Sequence, residues 1–156
     1  MEIFSDYIKN ELGYLVIKGG PEKIVSVSFE DDMPEVGKTN QVVEECKSQL
    51  LEYFSGSRKV FSVPLDLQGT DFQVDVWNEL TKIPFGEVIT YTALAQRFGD
   101  IKKLRAVGMA NSKNPISIIV PCHRVVGKKG NLVGYGGGLW RKRWLLDFES
   151  RRLNLF

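Results

Sequence analysis

The sequence predicts a two-part α+β protein, and three observations point there. Short β-favouring runs crowd the first third, apolar residues recur at helical spacing through most of the remainder, and the charge changes sign between the halves. Residues 1–69 carry 7 Lys and Arg against 12 Asp and Glu, a net −5, and residues 70–156 carry 14 against 7, a net +7. The change falls at Gln68-Gly69-Thr70, which marks the expected junction of an N-terminal domain, 1–69, and a C-terminal domain, 70–156. A basic half favours a polyanionic partner.

In chain order, Tyr14–Lys18 and Ile24–Phe29 read as a hairpin around Gly19-Gly20-Pro21-Glu22, and residues 31–38 as a loop. Val42, Val43, Cys46, Leu50 and Phe54 then mark a helix that Gly56 stops, with Cys46 a buried, inert thiol on its apolar stripe. Residues 60–67 read as a further strand. Thr70 or Asp71 caps a helix with Phe72, Val76, Leu80 and Ile83 inward, ended by Pro84-Phe85-Gly86. Thr90 caps a short helix bearing Tyr91, Leu94, Ala95 and Phe98, closed by Gly99. Residues 103–111 form another, with Leu104 and Val107 inward, and the pair fits a helix-turn-helix. Residues 139–149 read as a C-terminal helix packing through Leu145, Leu146 and Phe148.

Composition excludes several classes. With 43% hydrophobic and 26% charged residues the chain is that of a soluble globular protein. No apolar run approaches the roughly 20 residues that span a bilayer, so no membrane is expected. The acidic start, Met1-Glu2-Ile3-Phe4-Ser5-Asp6, lacks the regions of a signal peptide, and an intracellular location follows, cytoplasmic or, in a eukaryote, nuclear. Two cysteines make no disulfide scaffold, and with a single histidine they are too few for a structural zinc site.

The chemistry concentrates in Pro121-Cys122-His123-Arg124-Val125, where one of two cysteines adjoins the only histidine. A thiol of ordinary pKa, about 8.5, needs a base or positive charge to attack near neutral pH. Four roles compete for Cys122: structural thiol, metal ligand, hydrolase nucleophile and stoichiometric acceptor. His123 and Arg124 argue against a purely apolar site, and a metal site lacks ligands. Adjacent side chains in an extended segment point apart, so a water relay suits Cys122 and His123 better than direct contact. Residue chemistry leaves hydrolase and acceptor both open.

Together, Asn114-Pro115, Pro121-Cys122-His123-Arg124-Val125 and Gly134-Tyr135-Gly136-Gly137-Gly138-Leu139 resemble the O6-alkylguanine-DNA alkyltransferases. Ile83-Pro84-Phe85-Gly86-Glu87-Val88 and Arg105-Ala106-Val107-Gly108 fit the same family in the same order. The match is close over 70–150 and general over 1–69. It implies a ribonuclease-H-like N-terminal domain and a winged helix-turn-helix domain that binds double-stranded DNA containing alkylated guanine through the minor groove. The implied reaction is irreversible transfer of the alkyl group to Cys122, once per molecule and without a cofactor. A lesion-binding sensor that transfers nothing is the alternative, and Cys122 speaks against it.

By the same resemblance, His123 is the base acting through water and Glu149 the carboxylate that orients and charges it. Asn114 pins the turn before the active-site strand. Arg105 enters the base stack, Ala106 and Gly108 allow close approach of the helix, and Arg124 belongs with the DNA-binding residues. Tyr91 assists flipping and bonds the guanine ring. Tyr135 forms a pocket wall, Lys142 lies near the substrate oxygen, and main-chain groups of Cys122, Val125 and Gly136 bind the guanine edge. The family often has serine where this chain has Gly136, which bears on bulky adducts and benzyl-type inhibitors. A monomer is expected in solution, with cooperative binding along DNA left open.

Overall fold

The computed structural model describes residues 1–154, with side chains through Arg152, so 155–156 of the expected C-terminal domain lie outside the described residues. The chain divides into two compact units. One comprises Met1–Gln68 and Pro115–Ser117, the other Gly69–Asn114 and the chain from Ile118 onward. Pro115–Ser117 is a departure from a single crossing at 68–70.

In the first unit, β1 (Phe4–Asn10), β2 (Gly13–Gly19) and β3 (Ile24–Glu30) form an antiparallel sheet in that order. The hairpin of β2 and β3 is as expected. β1 is not, because Asp6 and Lys9 interrupt its apolar residues. Its register comes from the turn, where Asn10 accepts the Leu12 N–H at 2.9 Å and Leu12 is fully buried. The helix α1 (Gln41–Ser55) starts where Asn40 accepts the Val43 N–H at 3.1 Å and ends at Gly56, whose φ of 86° a side chain would oppose. Val43, Cys46, Leu50 and Tyr53 face inward; Tyr53, not Phe54, fills the last buried position of the stripe. Burial pushes the Cys46 thiol up to about 12, so it stays protonated and unreactive.

Residues 60–67 are not a strand. Pro64 lacks a donor and Val60 is 76% exposed, so only the bridge of Leu65 to Ile24 forms, with Gln49 holding Ser62 from both sides. Pro115 and Ser117 bracket Val27 of β3 in the same unit, through Val27 N–H to Pro115 carbonyl at 3.0 Å and Ser117 N–H to Val27 carbonyl at 2.9 Å.

The second unit is mainly helical. Thr70 and Gln73 form a reciprocal capping box at the start of α2 (Asp71–Leu80). Trp77, the largest fully buried side chain among the described residues, anchors α2 by donating its indole N–H to the Ala110 carbonyl at 2.8 Å. The short β4 (Ile89–Thr90) leads into α3 (Tyr91–Arg97), capped by Thr90, and a 3₁₀ turn, Ile101–Lys103, enters α4 (Leu104–Ser112). These two helices form the helix-turn-helix. Val107, Ala110 and Asn111 make the inward face of α4, whereas Leu104, expected inward, is 39% exposed at its first turn.

The segment before the cysteine is not extended. Residues 117–119 turn, with Ile118 at a φ of 73°, and Cys122–Arg124 is a 3₁₀ turn rather than part of a strand. β5 (Val125–Val126) then pairs in parallel with β4. An irregular loop leads to α5 (Leu139–Asn154), which runs beyond the 149 expected. Gly138 turns the chain into α5 at a φ of 92°. No helix of the described residues is long and apolar enough to cross a membrane.

Thr70→Ala removes one half of the capping box and is expected to cost about 1 kcal/mol, read as a lower urea midpoint. An unchanged midpoint would show that α2 does not depend on its cap.

Candidate active site

The site begins with a carboxylate that has no access to water. Glu149, on α5, is 1% exposed. Arg124 grips it with Nε to Oε1 at 2.9 Å and Nη2 to Oε2 at 2.9 Å. His123 Nε2 meets Oε2 at 2.8 Å, and the Gly86 N–H donates to Oε1 at 3.4 Å. Arg124 Nη1 donates to the Ile83 carbonyl at 2.7 Å. Burial alone would raise the Glu149 pKa, but His123 and Arg124 hold it well below the usual carboxylate range. The bidentate guanidinium of Arg124 is permanently charged, so it favours the ionised carboxylate whatever the charge on the histidine.

Burial lowers the pKa of His123 below its ordinary value, and Glu149 offsets this only in part. The ring is therefore neutral near pH 7, and the carboxylate at Nε2 requires the proton there. Nδ1 is left as a buried acceptor with no hydrogen-bond partner among the described residues. Glu149 pushes the histidine toward its charged form, burial opposes it more strongly, and the carboxylate at Nε2 also orients the ring.

The neighbouring Cys122 is 5% exposed. Burial raises its thiol pKa, opposed by a hydrogen bond from Asn114 and the charge of Lys142. Asn114 also donates Nδ2 to the Val120 carbonyl at 2.7 Å, so it pins the turn before the cysteine, although that turn leads to no strand. Lys142 is fully buried on α5 and donates Nζ to the carbonyls of Val133 at 3.0 Å and Gly134 at 3.3 Å. Burial brings its pKa down to about 8. Tyr91 donates to the same Val133 carbonyl at 3.1 Å, and burial raises its pKa. Tyr91, Leu104, Gly108, Ser112, Val133 and Gly134 line a groove of about 330 Å³.

The predicted residues divide accordingly. Cys122, His123, Asn114 and Glu149 come together, and Val125 is buried in β5. Tyr135 is half-buried and Gly136 beside it is exposed. A Cβ on Gly136 would meet nothing nearer than the Ser112 carbonyl at 3.9 Å, so packing does not demand glycine there. Arg105 and Ala106 are exposed on α4 and Gly108 is half-buried beside them. Arg124 is a correction. The resemblance places it with the DNA-binding residues, but its guanidinium is buried and committed to Glu149 and Ile83. Asn111 escapes the sequence reading; it looks like a helix residue without chemistry, yet its Nδ2 reaches the carbonyl of Cys122 at 3.3 Å. Among the described residues no group of three or more His, Cys, Asp or Glu could hold a metal ion.

Fold and site define a two-unit protein whose helix-turn-helix unit carries a buried cysteine beside a carboxylate-held imidazole. Family models match both parts: the 6-O-methylguanine DNA methyltransferase ribonuclease-like domain over residues 3–67, and the DNA binding domain of the same family over 71–151. The chain belongs to the 6-O-methylguanine DNA methyltransferase family. It is 43% identical over 147 residues to the methylated-DNA–protein-cysteine methyltransferase of Mycobacterium leprae, covering 91% of this chain and 89% of that one. Its counterpart from Methanosarcina acetivorans is 42% identical over 148 residues, covering 91% and 95%. Among solved structures, the Mycobacterium tuberculosis O6-methylguanine methyltransferase superposes with a TM-score of 0.86 at 40% identity, covering 99% of each chain. Mycobacterium tuberculosis OGT in complex with DNA gives 0.84 at 42% identity, covering 94% of this chain and 92% of that one.

Arg124→Ala leaves the Glu149 charge buried and unpaired, and is expected to cost about 3–5 kcal/mol. The lowered pKa of Glu149 has a signed consequence. The unfolded chain binds the proton first, so the stabilisation is fully present above about pH 4.5 and fades as pH falls through the folded-state value. In Glu149→Gln this part of the acid dependence, the proton linkage of a single carboxylate, disappears from urea midpoints measured between about pH 3 and 6. A slope identical to that of the parent would mean that Glu149 is not held in its charged form.

Proposed function

We propose that this protein repairs DNA by transferring an alkyl group from the six-position oxygen of guanine in a duplex to its own Cys122, once per molecule. The observation that carries the proposal is the neutral His123, with Nε2 held by Glu149 and Nδ1 left as an open acceptor among the described residues, next in sequence to Cys122. Membership of the family and the names of its relatives support it.

In the proposed reaction His123 Nδ1 takes the thiol proton through a water, and the sulfur attacks the alkyl carbon. A carbon–sulfur bond forms as the carbon–oxygen bond breaks. The electron pair leaves on guanine, which receives the proton, so thiol and O6-alkylguanine become thioether and guanine. A thioether does not hydrolyse, which ends the cycle. The resting thiol is kept protonated by burial, and the charge on Lys142 favours the thiolate when it forms. Lys142 also ties down the 133–134 loop through its two carbonyls, and the family resemblance gives it a role near the substrate oxygen.

Substrate reaches the sulfur by leaving the base stack, which costs a few kcal/mol. Arg105, exposed on α4, is suited to fill the gap as a planar cation, with Ala106 and Gly108 permitting close approach through the minor groove. Tyr91 assists flipping, Tyr135 packs against the base, and main-chain groups of Cys122, Val125 and Gly136 bind the guanine edge. The protein acts as a monomer inside the cell.

Intact mass spectrometry with excess methylated-guanine duplex is expected to give one methyl adduct per protein, on Cys122 and never on Cys46. Repeated turnover would identify a hydrolase, and bound lesion with unmodified Cys122 a sensor. Arg105→Ala is expected to slow repair of duplex more than reaction with free modified base. Equal losses would remove Arg105 from flipping.

A further inference from the structure

One buried polar side chain in the second unit has no part in the scheme above. Asn111 is 3% exposed on the inward face of α4, the helix whose outer surface bears Arg105. Its Nδ2 donates to the carbonyl of Cys122 and to the hydroxyl of Tyr91, each at 3.3 Å. The Cys122 carbonyl fixes the orientation of the amide. Turned over, Oδ1 would face another acceptor. With Nδ2 so placed, Oδ1 is buried and has no hydrogen-bond partner among the described residues.

We propose that Asn111 is a positioning residue for alkyl transfer, tying the DNA-facing helix to the backbone of the nucleophile and to Tyr91. The proposal rests on the alkyl-transfer reading of the site. Stability alone does not account for an amide here. A leucine of similar size would fill the space without burying an unpaired acceptor. What leucine lacks is a donor with two protons for two acceptors on different elements. The Tyr91 hydroxyl, accepting from Asn111, has its own proton directed to the Val133 carbonyl, where Lys142 also donates. The hydrogen-bonded path thus runs from Cys122 through α4 and α3 to the 133–134 loop and α5. A displacement of α4 against a duplex carries the carbonyl of the nucleophile and the Tyr91 hydroxyl with it, which keeps sulfur and base-binding groups in one frame.

The test uses the full chain with Asn111→Leu, and Asn111→Ala in case leucine does not fold. Three quantities are read: affinity for unmodified duplex, the single-turnover transfer rate at saturating methylated-guanine duplex, and the ultraviolet titration of Tyr91, identified as the component lost in Tyr91→Phe. The saturated rate is expected to fall by roughly tenfold or more, with duplex affinity within about twofold of the parent. The Tyr91 titration should move to higher pH, because the bond from Asn111 opposes the upward effect of burial. A parental rate at saturation would overturn the proposal, as would a slower rate with an unmoved Tyr91 titration, the mark of a packing role only. If the parent protein itself transfers nothing, the alkyl-transfer reading falls and this proposal with it. If the parent transfers and the variants keep its rate, only the role of Asn111 falls.

Discussion

Everything at the reactive end of this molecule depends on the buried carboxylate of Glu149. Both of its oxygens are occupied, by Arg124 on each and by His123 on one. Such a pair is expensive to assemble, since desolvating two charges costs several kcal/mol per ion before their attraction is counted. What it supplies is geometry. Arg124 joins Glu149 of α5 to the carbonyl of Ile83, and its neighbours in the 3₁₀ turn are the histidine and the cysteine. The position of α5 therefore sets the imidazole ring, and the imidazole ring sets where a proton is accepted.

That constraint explains how a buried thiol is kept both safe and usable. With its pKa raised by burial, Cys122 rests as the neutral thiol, a poor target for oxidants and stray electrophiles. In the proposed reaction activation needs a neutral base with an available lone pair, and an environment that keeps His123 from charging in advance suits that role. A protein that reacts once has no use for a standing thiolate. Cys46 shows the same burial without the base, and its thiol at about 12 is inert.

Much of this is legible in the sequence, for identifiable reasons. Periodicity and caps locate the helices well, because Thr70 and Thr90 mark starts by local hydrogen bonds that the sequence records directly. Failures come where tertiary context overrides the local pattern. β1 escapes because charged residues break its alternation, and residues 60–67 look like a strand that has only a single bridge to pair with. The resemblance places Arg124 with the DNA-binding residues, and nothing local in the sequence corrects that, since its partner lies 25 residues away on another element. Glu149 alone reads as an exposed helix-end acid, and only the family pattern draws it to the site. Asn111 carries no signal, because a buried amide and a helix-surface amide are written with the same letter.

The central claim is that His123 is a neutral imidazole protonated on Nε2, with Nδ1 a buried acceptor that has no hydrogen-bond partner among the described residues. As the only histidine in the chain, it can be read without assignment by nitrogen-15 NMR of its ring. Near pH 7 the account predicts one pyrrole-type nitrogen, Nε2, coupled to a slowly exchanging proton, and one pyridine-type nitrogen, Nδ1, with titration only below the ordinary value of 6.5. A charged ring at neutral pH, or a proton found on Nδ1, would contradict it.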